Sequence, residues 1–467
     1  MAAATTVPRV VVIGSGLAGC AAALTAARVL PRAQVVVLEK EAALGGNTAK
    51  ANSGINALSP GQGDSAATFK EDTLRSGGGR CQSELVELLV DRSRDALQFL
   101  EAAGARFGSV SQLGGQSVAR THSPPAGEPA VGLEIMRALH RSMQQQDNIQ
   151  VQTGVKVTAL APAASGAWCI RTLRQQEQQE QRAQEQEQEA HAVVLATGGF
   201  AASQALLRRY APQAAGLGTT NGAFAEGEGL ELGQQAGAAL VDVDQVQLNP
   251  TGIVDPSDPH CPTKTVAPEK LRGLGAILLS ARARRFVNEL GRRDEVAGAI
   301  LGQPSKQAVL LFGAATADAF GLALESYLSS GLIQKAETLA QLADQAGLPA
   351  EAVREELEAY SQAAAAGRDG FGKTAFPARI DAGQPLYWTR VTPVAHYCMG
   401  GLAINASARV LDSGRRPIPG LFAAGEVAGG IHGKNLLVGN SLLDCVVFGR
   451  IAGASAAQHA AEFTAGS

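Results

Sequence analysis

The first forty residues restrict this chain more than any other feature. Arg9-Val10-Val11-Val12-Ile13 is a continuous apolar run, the pattern of a parallel strand buried on both faces. Gly14-Ser15-Gly16-Leu17-Ala18-Gly19 follows, then an alanine-rich helix expected from about Cys20 to Val29. A second apolar strand, Gln34 to Leu38, runs into Glu39. Gly14, Gly16 and Gly19 permit a tight turn and close approach of backbone to a pyrophosphate. The helix N-terminus behind them offers unpaired N–H groups and a favourable dipole. An acid at Glu39 accepts hydrogen bonds from ribose hydroxyls and disfavours a 2′-phosphate. A glycine-rich turn without a ligand is the bland alternative. The full strand–turn–helix–strand–acid context weighs against it.

A chain of 467 residues has room for two or three well-buried domains. Its net charge of −3 gives no sign of a nucleic-acid or anionic-membrane partner. The cysteines (Cys20, Cys81, Cys169, Cys261, Cys398, Cys445) are scattered without CxxC or zinc spacing. Attached haem, iron–sulfur and metal readings therefore lose support, and a reducing compartment fits. No apolar run reaches about 18 residues, so no membrane span is expected. With the first strand near Pro8, a cytoplasmic location is expected, or an organellar one if a targeting segment lies outside this chain.

Helical periodicity covers 84–104 and 131–146, and strands are expected over 149–160, 166–174 and 191–195. Residues 175–189 are almost wholly Gln, Glu, Arg and Ala. Without an apolar stripe they read as a low-complexity, solvated or disordered hairpin insertion. The texture changes between about 245 and 375, with a long helix expected over 336–366, and glycine-rich turns return in the last eighty residues. The fold expected is α/β, a Rossmann-like cofactor domain split in sequence (1–245 and 376–467), with an α+β capping domain at 246–375. Trp168 and Trp388 read as core residues, and His122, His140 and His260 as surface residues. His432, in a glycine-rich turn, is open between packing and a site role.

Further motifs narrow the cofactor. Leu44-Gly45-Gly46-Asn47-Thr48 follows the acidic strand, Ala196-Thr197-Gly198-Gly199 ends a later one, and Ala423-Ala424-Gly425-Glu426 lies near the C-terminus. Together they resemble the flavoproteins of the fumarate reductase and succinate dehydrogenase superfamily. Thr392-Pro393-Val394-Ala395-His396-Tyr397-Cys398-Met399-Gly400-Gly401 and Gly429-Gly430-Ile431-His432-Gly433-Lys434-Asn435 resemble the soluble, stand-alone fumarate reductases. The resemblance covers essentially the whole chain except the Gln/Glu insertion, and it implies FAD. Glu426 would hold the ribityl chain, and Asn440, Ser441, Leu442 and Leu443 would open a helix at the flavin pyrimidine edge. It also assigns Leu17, Ala18, Lys40, Gly54, Val155 and Glu228 to cofactor binding. Membrane-complex members attach flavin to a histidine near the position of Asn47, so non-covalent FAD is implied here.

The resemblance likewise places a catalytic proton donor at Arg293, resupplied through Glu269 and Arg272, with His396 holding a substrate carboxylate. An arginine releases a proton only in a desolvated site with an acidic partner. A structural ion-pair network at the same residues is the alternative. Two substrate positions depart from the family: Asn249 stands for its histidine, and Leu436 for the arginine that clamps a second carboxylate. Pro268 also replaces a usual threonine before Glu269. Flavin chemistry is thus carried further than fumarate itself. A soluble ene-reductase acting on an unsaturated carboxylate is the leading expectation, with an unidentified electron donor and no membrane subunit. A flavin-binding protein that has lost the reaction (a scaffold or sensor) stays open, as does an aspartate-oxidase-like oxidase or a dehydrogenase of cyclic ketones.

Overall fold

The computed structural model describes residues 7–125, 128–174, 184–321 and 323–466. They form two compact units, one of Met1–Pro212, Gly222–Val246 and Tyr397–Ser467, the other of Gln213–Asn221 and Gln247–His396.

The first unit is built on a six-stranded sheet in the order Arg409–Leu411, Pro417–Ala423, Ala192–Leu195, Arg9–Ile13, Gln34–Leu38, Ile149–Gln152. All neighbours are parallel except Arg409–Leu411. Val10, Val11 and Val12 are fully buried, as the unbroken apolar run requires. The first helix spans Leu17–Val29, three residues longer at its start than expected, because helical geometry resumes directly after the extended Gly16 (φ −66°, ψ −176°). It packs along the C-terminal helix Asn440–Gly466. A Cβ on Gly449 would lie 2.6 Å from the carbonyl oxygen of Ala18, and one on Gly453 2.9 Å from the carbonyl carbon of Ala22. Only glycine lets the two backbones approach this closely.

Several expected elements divide. The stretch 84–104 is two helices, Ser83–Asp91 and Ser93–Ala102, since the Ser93 hydroxyl donates to Val90 O (2.7 Å) at the break. The expected strand 149–160 is Ile149–Gln152 in the main sheet and Val155–Pro162 in a separate hairpin, turned at Gly154 (φ +67°). Of the two readings of the polar insertion, the solvated hairpin is the one that residues 184–190 bear out. Gln184–Ala190 is an ordered edge strand paired with Trp168–Arg174, because backbone pairing needs no apolar face and Glu187 meets Arg171 at 2.8 Å. Residues 175–183 lie outside the described residues.

In the second unit, helices cover both faces of a sheet ordered Val246–Ile253, Leu386–Cys398, Ala308–Gly313, Ile277–Leu279. Its strands alternate strictly. Ile277, Leu279, Val309 and Leu311 join helices Leu339–Ala346 and Ala350–Ala366 in one core. Leu278, Ala308, Leu310 and Phe312 join Glu269–Gly273, Arg293–Leu301 and Ala314–Phe320 in the other. The unit runs to His396 rather than 375, because Leu386–Cys398 pairs through Arg390 and Trp388 with Val309 and Leu311. It also takes in Gln213–Asn221, where Thr219 bridges Thr263 and Ala395. The expected helix 336–366 is broken at Gly347 (φ +63°) and Pro349. No helix among the described residues is long and apolar enough to cross a membrane.

Candidate active site

Two groups of residues carry chemistry, one in each unit. In the first unit, Gly14 adopts φ +101°, and a Cβ there would lie 2.8 Å from the Ala196 carbonyl carbon. Gly16 stands at the cap of the first helix and offers no side chain to its N–H groups, and a Cβ at Gly16 would meet only Thr48 Oγ1, at 3.9 Å. Leu17 N donates to the same Thr48 oxygen (3.3 Å). The turn is thus tight on its sheet side and open above the helix end, the shape that phosphates fill. Ala18 and Gly19 continue the helix.

Glu39, 8% exposed, is held by Ser15 N (2.9 Å) and Ser15 Oγ (2.6 Å) on one oxygen and by Glu41 N (2.9 Å) on the other. The motif template leaves Ser15 a free position, so sequence reading passed over this anchor. Val155 N donates to Glu39 O (2.9 Å). Lys40 binds Glu228, and Lys156 lies 3.4 Å from it. Burial pushes the Glu228 carboxyl up, but these lysines more than offset it and hold the group below the usual range. Gly45 (φ +118°) and Gly46 (φ +49°) shape the following loop, where Asn47 Oδ1 accepts from Gly222 N (2.9 Å). Gly54 is pressed against Thr121 and His122, which accounts for its missing side chain.

At the carboxyl ends of the neighbouring strands, Thr197 Oγ1 is buried without a partner among the described residues, and a Cβ on Gly198 would meet nothing within 4 Å. The hydroxyl packs on Gly229, while the backbone at Gly198 leaves room for a ligand. Gly425 (φ +73°) packs on Ala18, and Glu426 follows it in a short 3-10 turn. Asn440, with Ser441, Leu442 and Leu443, opens the C-terminal helix. The Asn440 amide is spent within the fold, accepting from Asn56 Nδ2 (2.7 Å) and donating to Thr73 Oγ1 (3.2 Å). These features fit a bound dinucleotide, with the Gly14–Gly19 turn and Thr197–Gly199 as its cradle.

The second unit gathers Arg293, Glu269, Arg272 and His396. Arg293 opens helix Arg293–Leu301. Its Nε (3.0 Å) and Nη2 (2.8 Å) both donate to Glu269 Oε2, and its Nη1 donates to Gln247 Oε1 (2.8 Å). Arg272 Nη2 lies 3.5 Å from Glu269 Oε1, and its Nη1 donates to Glu289 O (2.5 Å). Burial drives the Arg272 guanidinium below its ordinary value. Burial raises the Glu269 carboxyl, but Arg293 and Arg272 outweigh it and keep the group ionised. His396 Nδ1 meets Thr220 Oγ1 at 2.7 Å. Desolvation, then Arg293, pushes the imidazole down to about 3, so it is neutral at any ordinary pH. Gln247 was legible in principle, since it lies two residues before Asn249 on one strand and so shares its face.

Both departures from the family pattern are locally satisfied. Asn249 Oδ1, in the second unit, accepts from Thr251 N (3.0 Å) and Oγ1 (3.2 Å). Leu436, in the first unit, is buried against Tyr397 and Met399. Lys434 is exposed, with its stem over Gly78. Of the histidines expected at the surface, His260 is exposed, whereas His122 and His140 are half-buried. His122 is drawn in by a contact a sequence does not show, its Nε2 meeting Ser59 Oγ at 2.9 Å. His432 is buried with Nε2 3.2 Å from Asp444 Oδ2, in edge contact with Tyr397. Trp168 and Trp388 are core residues.

Residues 9–442 match the family described as FAD binding domain. The chain is 38% identical to fumarate reductase 1 of Saccharomyces cerevisiae, over 96% of this chain and 98% of that one. It is 31% identical to a urocanate reductase of Eggerthella lenta, over 97% and 75% respectively. A solved flavocytochrome c3 fumarate reductase in its open conformation matches with a TM-score of 0.83 at 33% identity, covering 97% of this chain and 78% of that one. Likeness of this extent, on a turn already shaped for a dinucleotide, settles the kinship: the chain belongs to the FAD-binding flavoproteins of the fumarate reductase family, and it is an oxidoreductase that carries FAD.

Proposed function

We propose that this protein reduces the activated C=C bond of a small carboxylate bearing a single negative charge. The arrangement that carries the reading is the Arg293–Glu269–Arg272 cluster with Gln247. When bound, reduced FAD supplies a hydride from N5 to one alkene carbon. Arg293 gives a proton to the neighbouring carbon, and Glu269 and Arg272 return one to it. Two N–H groups of Arg293 converge on a single Glu269 oxygen (3.0 and 2.8 Å), so proton return needs no rearrangement. Neutral His396, tied to Thr220, orients the substrate carboxylate by hydrogen bonding without adding charge.

A monoanionic substrate fits the two departures. Asn249 Oδ1 is occupied by Thr251, and Leu436 sits among Tyr397 and Met399. Neither supplies a cation, and burying a second carboxylate without one costs about several kcal/mol. FAD is held non-covalently in this reading, with the Asn47 side chain engaged by Gly222 N. All six cysteines are free, which supports a reducing, cytoplasmic setting.

Arg293→Gln tests the assignment. The variant should bind and accept electrons on FAD as wild type does, while alkene-driven reoxidation falls by about 10²-fold or more. Unchanged reoxidation would remove Arg293 from the chemistry. The replacement of the family's carboxylate-binding histidine and arginine by Asn249 and Leu436 also favours a second reading, a flavoprotein without reductase activity, for which no alkene reoxidises wild type or variant.

A further inference from the structure

Glu426 stands at the carboxyl edge of the parallel sheet. It follows Pro417–Ala423, next to Ala192–Leu195 and the Thr197–Gly199 turn. Its Oε1 accepts from Cys398 N (2.8 Å), and a Cβ on Gly199 would lie 2.7 Å from its Cδ. No Lys, Arg or His forms an ion pair with it among the described residues, unlike Glu228 on the same side of the sheet, which has two lysines. The titratable groups that face it are Asp444 and Cys445 from the C-terminal helix, and Tyr397 and Cys398 from the end of Leu386–Cys398. None of them is a cation. Asp444 is itself fully buried, and among the described residues its hydrogen-bond partners are Tyr397 Oη (3.4 Å) and His432 Nε2 (3.2 Å), both on one oxygen.

We propose that Glu426 engages the cofactor as a neutral carboxylic acid, its O–H donating to a cofactor oxygen, so that FAD capture takes up one proton. Backbone N–H groups of Cys398 and Gly199 favour the anion. Burial and the nearby Asp444 charge oppose it, and burial prevails: the carboxyl is pushed up to about 7. FAD adds a doubly charged pyrophosphate and displaces water from the same cleft, and both push the carboxyl further up. The sign follows. The bound form holds the proton to higher pH than the free form, so affinity is flat below neutrality and falls as pH rises past it. The inference rests on the FAD assignment and not on the substrate.

The test is the FAD dissociation constant of apoprotein between acid and mildly alkaline pH, read by flavin fluorescence, with calorimetry in two buffers of different ionisation enthalpy to count protons. Wild-type affinity should weaken by up to about tenfold per pH unit above neutrality, with close to one proton taken up per FAD on the alkaline side. Glu426→Gln, which keeps a hydrogen-bond donor and cannot ionise, should bind with little pH dependence. Asp444→Asn should move the wild-type break to lower pH. A flat wild-type profile, proton release, or a Glu426→Gln profile that keeps the slope would overturn the proposal. The proton count on wild type decides the matter even if a variant fails to fold. All these readouts are of binding, so their failure leaves the reductase assignment untouched.

Discussion

Alanine at Gly14 and at Gly16 should have opposite consequences, although the two residues share one turn. At Gly14 the backbone sits at φ +101°, where a side chain costs about 1–2 kcal/mol. The new Cβ would stand 2.8 Å from the Ala196 carbonyl carbon, against an ordinary carbon contact of about 3.5–4.0 Å. The atoms met are Ala196 backbone, which cannot swing aside, so Gly14 must move away from it. That threatens the bonds from Ala196 N to Ile13 O and from Gly14 N to Leu38 O, each 2.8 Å and each worth about 1 kcal/mol. Together the cost is about 3–4 kcal/mol, a large share of a typical stability of about 5–15 kcal/mol. Gly16, by contrast, has an ordinary φ of −66° and open space above it. Gly16→Ala should leave the apoprotein as stable as wild type, while its methyl crowds the bound pyrophosphate by about 1–3 kcal/mol, a ten- to hundredfold loss of FAD affinity. Thermal melting of the apoproteins and FAD titration read the two effects separately. If Gly14→Ala melts with wild type, or Gly16→Ala binds FAD with wild-type affinity, the account of the turn is wrong.

Two further outcomes follow from the buried charges. Glu289 is fully buried and receives Arg285 (2.7 and 2.8 Å) and Lys373 (3.0 Å). Glu289→Gln takes the ion-pair partner from Lys373 and leaves Arg285 with Asp369, and it should cost about 3–5 kcal/mol, visible as a lower denaturant midpoint. His396 titrates at about 3 in the fold and near 6.5 when unfolded, so the unfolded chain binds the extra proton first as pH falls. Wild type should therefore lose stability between those values, and His396→Gln should lose less. Melting temperatures at neutral and acid pH check this, and no rate inflection near 6.5 should trace to His396.

The sequence reading was strongest where local pattern and chemistry coincide. The opening strand, turn and second strand appear at the expected residues because a strand buried on both faces must be continuously apolar. It stopped short where structure depends on distant partners. The hairpin over 184–190 was open between solvated and disordered, since what orders it is pairing with Trp168–Arg174. The buried Arg120 bridges Asp64 and Asp72, 56 and 48 residues away, and Lys373 reaches Glu289 across 84. Such pairs look like ordinary surface charges in a sequence. At the candidate site, motif resemblance singled out Arg293, Glu269 and Arg272, which the fold brings together. Gln247 and Thr220 were missed because they belong to no motif.

The central claim is a C=C reductase retuned from a dianion to a monoanion. Its most direct measurement is anaerobic reoxidation of the dithionite-reduced protein, followed by flavin absorbance, with fumarate and with a panel of monocarboxylate enoates. The account predicts that an enoate reoxidises wild type about 100-fold faster than fumarate at equal concentration, and that Asn249→His/Leu436→Arg gains a fumarate response. Fumarate reoxidising wild type as fast as the best enoate, or no alkene reoxidising it at all, would contradict it.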